Sequence, residues 1–217
     1  MASSSENSED YRWAEIKHLA LNCISDIHSS GTFATSGCFK NFVLPGISVD
    51  EVGVIRLPLS SQDVQSLIQA SHPAPFGKGN QTLVDEAVRK TWEIDGSQVS
   101  FLNKAWHGWL DSVVRRVAED LGVAGGPNYV RAELYKMLLY EEGAMFKPHK
   151  EYVALFPLHR TSLTSRSTEK TSNMFGTLII CLPSEHVGGA VHLTHGLKEK
   201  TFATDESSAF NITYTAW

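Results

Sequence analysis

The stretch Tyr140-Glu141-Glu142-Gly143-Ala144-Met145-Phe146-Lys147-Pro148-His149-Lys150-Glu151 decides how this chain is read. It reads as a β-strand and a glycine turn that deliver an imidazole and a carboxylate two residues apart. On a strand, side chains at i and i+2 point to the same face. An imidazole at His149 and a carboxylate at Glu151 are two thirds of the 2-His-1-carboxylate set that holds non-haem Fe(II). A bare His-x-Glu pair arises by chance in many proteins, and a histidine after a proline turn is often a plain surface residue. The surroundings of the pair therefore carry the weight.

Downstream, the pattern stays strand-like. Tyr129–Tyr140, Phe175–Leu182, Ala190–His195 and Ala209–Ala216 are strand candidates separated by Gly, Pro and Ser turns. Upstream it is mostly helical. Trp13, Ile16, Leu19, Ala20, Cys23, Ile24 and Ile27 recur at helical spacing and predict an amphipathic helix ending near Gly31. Val52–Leu59 alternates and reads as a strand. Ser60-Ser61-Gln62-Asp63 resembles a capping box opening a helix that carries Val64, Leu67 and Ile68. Residues 73–79, rich in Pro and Gly, read as a loop. Trp106, Trp109, Leu110, Val113, Val114, Val117 and Leu121 form the stripe of a second clear helix, with Gly122 as its C-terminal signal. Helices first and short strands after is an α+β pattern, and no internal repeat interrupts it.

At 217 residues the chain fits one domain with a sizeable core. An apolar fraction of 42% and a charged fraction of 20% are those of an ordinary soluble globular protein. A formal charge of −5 with no clustered Lys/Arg face argues against nucleic-acid or anionic-membrane binding. No apolar run approaches the roughly 20 residues that span a bilayer. The first ten residues are Ser/Glu-rich, read as disordered, and are no secretory signal. Three distant cysteines, Cys23, Cys38 and Cys181, suit a reducing compartment. An intracellular setting, cytoplasmic or nuclear, is the expectation.

The ligand stretch resembles the prolyl-4-hydroxylase-like branch of the 2-oxoglutarate/Fe(II) dioxygenases. Their ligand strand reads Leu-x-x-Tyr-x-x-Gly-x-x-Phe-x-x-His-x-Asp; Tyr140, Gly143, Phe146 and His149 match it in register, with Leu138 or Leu139 beside its first position. The chain is more similar still to a fungal-type group of that superfamily. It carries that group's Thr168-Glu169-Lys170, Met174-Phe175-Gly176-Thr177-Leu178, Leu182-Pro183-Ser184 and Gly188-Gly189 in order. The resemblance runs from about Gly31 to the last residue and implies a double-stranded β-helix, or jelly roll, behind N-terminal helices. It divides the chain into a tail and helix, 1–30, and an incomplete dioxygenase domain, 31–217. It further implies Fe(II) as cofactor, 2-oxoglutarate as co-substrate and ascorbate as an optional reductant. His149 and Glu151 become the metal ligands and Tyr140 a co-substrate contact, with Arg131 and Glu133 as lesser candidates. The substrate, a protein or a small molecule, is not legible.

Two departures stand out. The family continues past the position of Trp217 into a Tyr-Ser-Asp, a distal His and an Arg that pairs the 2-oxoglutarate carboxylate, so these are expected beyond Trp217. The jelly roll's C-terminal strands are then missing, leaving the strand over 209–216 as an unpaired edge and the chain impaired. A non-catalytic jelly-roll module is the alternative. A zinc site built from His149, His192 and His195 is a third reading, weakened because three residues along a strand switch face.

The second departure is residues 152–167, an atypical insertion where the family passes directly from an Asp ligand to Thr-Glu-Lys. Glu151-Tyr152-Val153 can be encoded GA|GTATGT, whose second part is a common fungal splice donor. Leu163-Thr164 can hold a branch point, and Ser167 an acceptor AG. Removing the segment joins GA to a pyrimidine and writes Asp before Thr168. Sequencing the mature transcript should reveal the spliced form; message that uniformly retains codons 152 to 167 contradicts it and makes the segment a genuine loop with Glu151 as the ligand.

Overall fold

The computed structural model describes residues 13–19, 30–78, 81–123, 129–149 and 174–217. The fold is α+β, with few helices and several small antiparallel sheets. Of the segments read from sequence, residues 1–10, the C-terminal half of the first helix and the insertion lie outside the described residues.

Residues 13–19 are helical (α1) and expose Trp13, Ile16 and Leu19. Helix α2, Ser61–Ala70, starts where the capping pattern places it. Ser60 Oγ accepts from the Asp63 backbone N–H at 3.2 Å, and the Ser60 hydroxyl donates to the Asp63 carboxylate at 2.5 Å. Helix α3, Ala105–Leu121, ends at Gly122 in the left-handed region (φ 67°), where the Gly122 N–H caps carbonyls of the last turn.

Strands β1 (Thr35–Phe39), β15 (Ile212–Ala216) and β12 (Leu178–Cys181) form one antiparallel sheet with β15 in the middle. Here the structure corrects the sequence expectation. The last strand is paired on both sides rather than being an unpaired edge, and all five of its residues are buried. Tyr214 and Ala216 pack against Val113 and Val117 of α3, with Phe39, Trp109, Leu121, Leu178 and Ile180 around them. At about 1.5–3 kcal/mol for each large apolar side chain removed from water, this contact fixes α3 on the sheet.

The second cluster joins Ile47 and Val49 of β2 (Ile47–Val49), Ile55, Leu67 of α2 and Ile94 of β8 (Trp92–Asp95). Strand β2 pairs with β3 (Gly53–Val54) and β9 (Val99–Phe101); β8 pairs with β4 (His72–Pro73) and β10 (Lys136–Leu139). Leu182, just past β12, packs against this second cluster and links the two cores. Strands β5 (Phe76–Lys78) and β6 (Gln81–Leu83) form a hairpin where a plain loop was expected. The strand expected over 190–195 is β13 (Val191–His195), paired in a hairpin with β14 (Lys198–Phe202). Strand β7 (Arg89–Lys90) pairs with β11 (Met145–Phe146). The strand expected over 52–59 is only β3, and that over 129–140 only β10. Among the described residues no helix is long and apolar enough to cross a membrane.

Gly96, between β8 and β9, shows how tightly these sheets meet. Its N–H donates to the Tyr135 carbonyl at 2.9 Å, and a Cβ there would lie 2.4 Å from the Leu134 carbonyl oxygen. Backbone cannot swing aside as a side chain can. Gly96→Ala should therefore lower stability by about 1–3 kcal/mol or more, read as a fall in the urea midpoint at unchanged slope.

Candidate functional site

The chain leaves β10 at Leu139 and turns through Glu141-Glu142-Gly143. The Ala144 N–H closes the turn on the Glu141 carbonyl at 2.9 Å, with Gly143 at φ 70°. That conformation suits glycine and explains its place in the motif. Strand β11 then pairs with β7, extended by a bond from the Lys147 N–H to the Val88 carbonyl at 2.9 Å. His149 lies three residues past β11, so strand geometry alone does not set its direction.

Two contacts orient its imidazole instead. The ring stacks on Phe146 at a centroid distance of 3.8 Å and an interplanar angle of 17°. Nδ1 lies 3.1 Å from the Lys147 carbonyl. A carbonyl only accepts, so in the neutral ring Nδ1 carries the proton and the lone pair sits on Nε2. A backbone carbonyl in this role is the usual way a ligating histidine is held in one tautomer. On the Phe146 ring also lies the guanidinium of Arg89, 4.5 Å from the centroid.

The remaining candidates are spread out. Glu151 lies outside the described residues. Tyr140 directly follows β10 and is half exposed, with no hydrogen bond among the described residues joining it to His149. Arg131 and Glu133 are ion-paired to each other at 2.6 Å on the surface. His192 accepts or donates through Nδ1 with the Thr201 hydroxyl at 2.9 Å across the β13–β14 hairpin, and His195 stacks on Phe33. Cys181 is largely buried, and burial pushes its thiol above the usual range, as suits a small core residue and not a nucleophile. Trp106 and Trp109 stack at 4.7 Å as packing anchors of α3.

Iron of the facial-triad type needs three protein donors. Among the described residues no group of three His, Cys, Asp or Glu side chains converges. At the motif they supply the imidazole of His149, and the zinc grouping of His149, His192 and His195 is not assembled. Sequence reading passed over a different buried polar cluster on β7 and β8. Glu93, 8% exposed, meets Lys136 Nζ at 2.5 Å and His72 Nε2 at 3.4 Å. Arg89 and Thr91 are equally buried in the same run. No local pattern announced it: Arg89, Lys90 and Thr91 are all polar, and only the structure turns Arg89 and Thr91 inward. No family model, no curated protein and no solved structure matches the chain.

Proposed function

We propose that the chain is a dioxygenase domain of the 2-oxoglutarate/Fe(II) type, a hydroxylase in which His149 is a metal ligand and Glu151, or an Asp in its place, the neighbouring carboxylate. The observation that carries the reading is the imidazole of His149, set behind the strand–Gly143–Phe146 motif with its Nδ1 proton turned onto Lys147. Support for a jelly roll comes from connectivity. Strands β12 and β15 pair with each other, and the hairpin β13–β14 lies between them in sequence but in its own sheet. A fourth strand returning beside the first across such a hairpin is the Greek-key step from which jelly rolls are built.

Bound iron and 2-oxoglutarate would supply the oxidising chemistry. The chain's own part is to fix the imidazole on Phe146, hold its proton on the Lys147 carbonyl, and present Tyr140 to the co-substrate. With one ligand among the described residues, the proposal concerns metal and co-substrate binding and not turnover. That same scarcity favours a second reading, a jelly-roll module that binds without catalysis. The test is anaerobic titration with Fe(II) followed by 2-oxoglutarate. A weak visible metal-to-ligand charge-transfer band is expected; its absence with both in excess would leave the module as the better reading.

A further inference from the structure

A cleft opens on the side of Phe146 that Arg89 occupies. Strand β7 and the following residues form one wall, and the 141–144 turn forms the other. Arg89 is 9% exposed and lines this cleft. Its Nη1 donates to the Pro75 carbonyl at 2.7 Å and its guanidinium lies over the Phe146 ring, yet its buried Nε has no hydrogen-bond partner. Among the described residues no carboxylate pairs with it. Thr91, 6% exposed, lines the same cleft, and its buried hydroxyl is also without a partner.

A buried guanidinium without a counter-charge is costly, and so is a buried hydroxyl without a hydrogen bond. Two such groups on one wall are the complement of an anion with several acceptor lone pairs. A carboxylate fits, because its two oxygens take the fork of a guanidinium and a hydroxyl together. The rest of the lining selects what the carboxylate is attached to. Pro73, Ala144 and the indole of Trp92 offer apolar surface. Glu86 and Glu141 also line the cleft and oppose an anion, but Glu141 Oε2 is engaged by the Trp92 indole N–H at 2.5 Å, which draws off part of its charge.

We propose that this cleft binds a small aliphatic carboxylate, paired by Arg89 and hydrogen-bonded by Thr91, one phenyl ring away from the imidazole of His149. The site needs no metal, so it stands or falls apart from the dioxygenase reading. If that reading holds, the carboxylate belongs to a ligand reaching toward His149.

The Trp92 indole N–H reports the site by ¹H–¹⁵N NMR of the metal-free chain, titrated with butyrate and, separately, with its neutral isostere butyramide. Butyrate should shift the Trp92 signal saturably and butyramide should not. Arg89→Gln should weaken butyrate binding by at least about tenfold, the value of one charge-assisted hydrogen bond. Because Arg89 is buried and its replacement puts folding at risk, Glu141→Gln gives a second reading. It keeps an acceptor for Trp92 but removes a like charge, and should tighten butyrate about two- to fivefold. Equal shifts with butyramide, no saturable shift with butyrate, wild-type affinity in a folded Arg89→Gln, or weaker binding in Glu141→Gln would each overturn the proposal.

Discussion

Replacing Tyr214 with alanine should lower the unfolding free energy by about 3–5 kcal/mol, whereas phenylalanine should leave it within about 1 kcal/mol of the parent or above it. The ring is 2% exposed in the middle strand β15. It stacks on Phe39 at 5.5 Å and packs on Val113 and Val117 of α3. Gly37 of β1 makes room for it, since a Cβ there would lie 2.6 Å from Tyr214 Cε1. Alanine would leave a void that strands hydrogen-bonded on both sides cannot close. The buried hydroxyl makes no well-formed hydrogen bond, because the Thr35 hydroxyl beside it is committed to Asp120 at 2.7 Å. Removing the oxygen therefore relieves a desolvated group. Burial also pushes the phenol above its usual value near 10. For a raised value the sign is fixed: the contribution is full below the unfolded-state value and is lost as pH climbs through the folded-state value. Urea unfolding of both variants between neutral and alkaline pH checks the argument, and Tyr214→Phe should lose less stability on the alkaline side than the parent.

The second large effect is expected at the motif histidine. His149→Ala should weaken Fe(II) binding by at least about a hundredfold, the upper end of what losing a mere supporting partner of a ligand costs. Its stability should change little, because the ring is exposed. A variant that unfolds as the parent does but no longer binds metal separates a ligand from a packing residue. His149→Gln, which restores a hydrogen bond but not the imidazole, should not recover binding.

Local patterns were legible and remote pairings were not. The stripe and glycine of α3 and the cap of α2 could be read because helices are stabilised within a few turns of themselves. The run over 52–59 alternated like a strand, but only Gly53–Val54 pairs as β3, and Pro58 further along offers no donor. Strands of two or three residues such as β7, β9 and β11 leave too short a period to detect, and they matter because β7–β11 pairing places Arg89 against Phe146. The expected edge at 209–216 proved central because β1, more than 170 residues upstream, supplies its second partner; alternation says nothing about how many neighbours a strand has. His149, Tyr140 and the turn glycine were legible as a motif, while the Arg89–Thr91 wall was not, since no short-range pattern marks an uncompensated buried cation.

The central claim is a metal-ligating imidazole at His149. Paramagnetic Mn(II), which shares the oxygen and nitrogen preference of such sites, can locate it residue by residue in ¹H–¹³C and ¹H–¹⁵N spectra of the chain. The account predicts that substoichiometric Mn(II) broadens the His149 and Phe146 ring signals first, and that His149→Ala abolishes this selectivity. Broadening centred instead on the Glu93–Lys136–His72 cluster, or spread evenly and unchanged in His149→Ala, would contradict it.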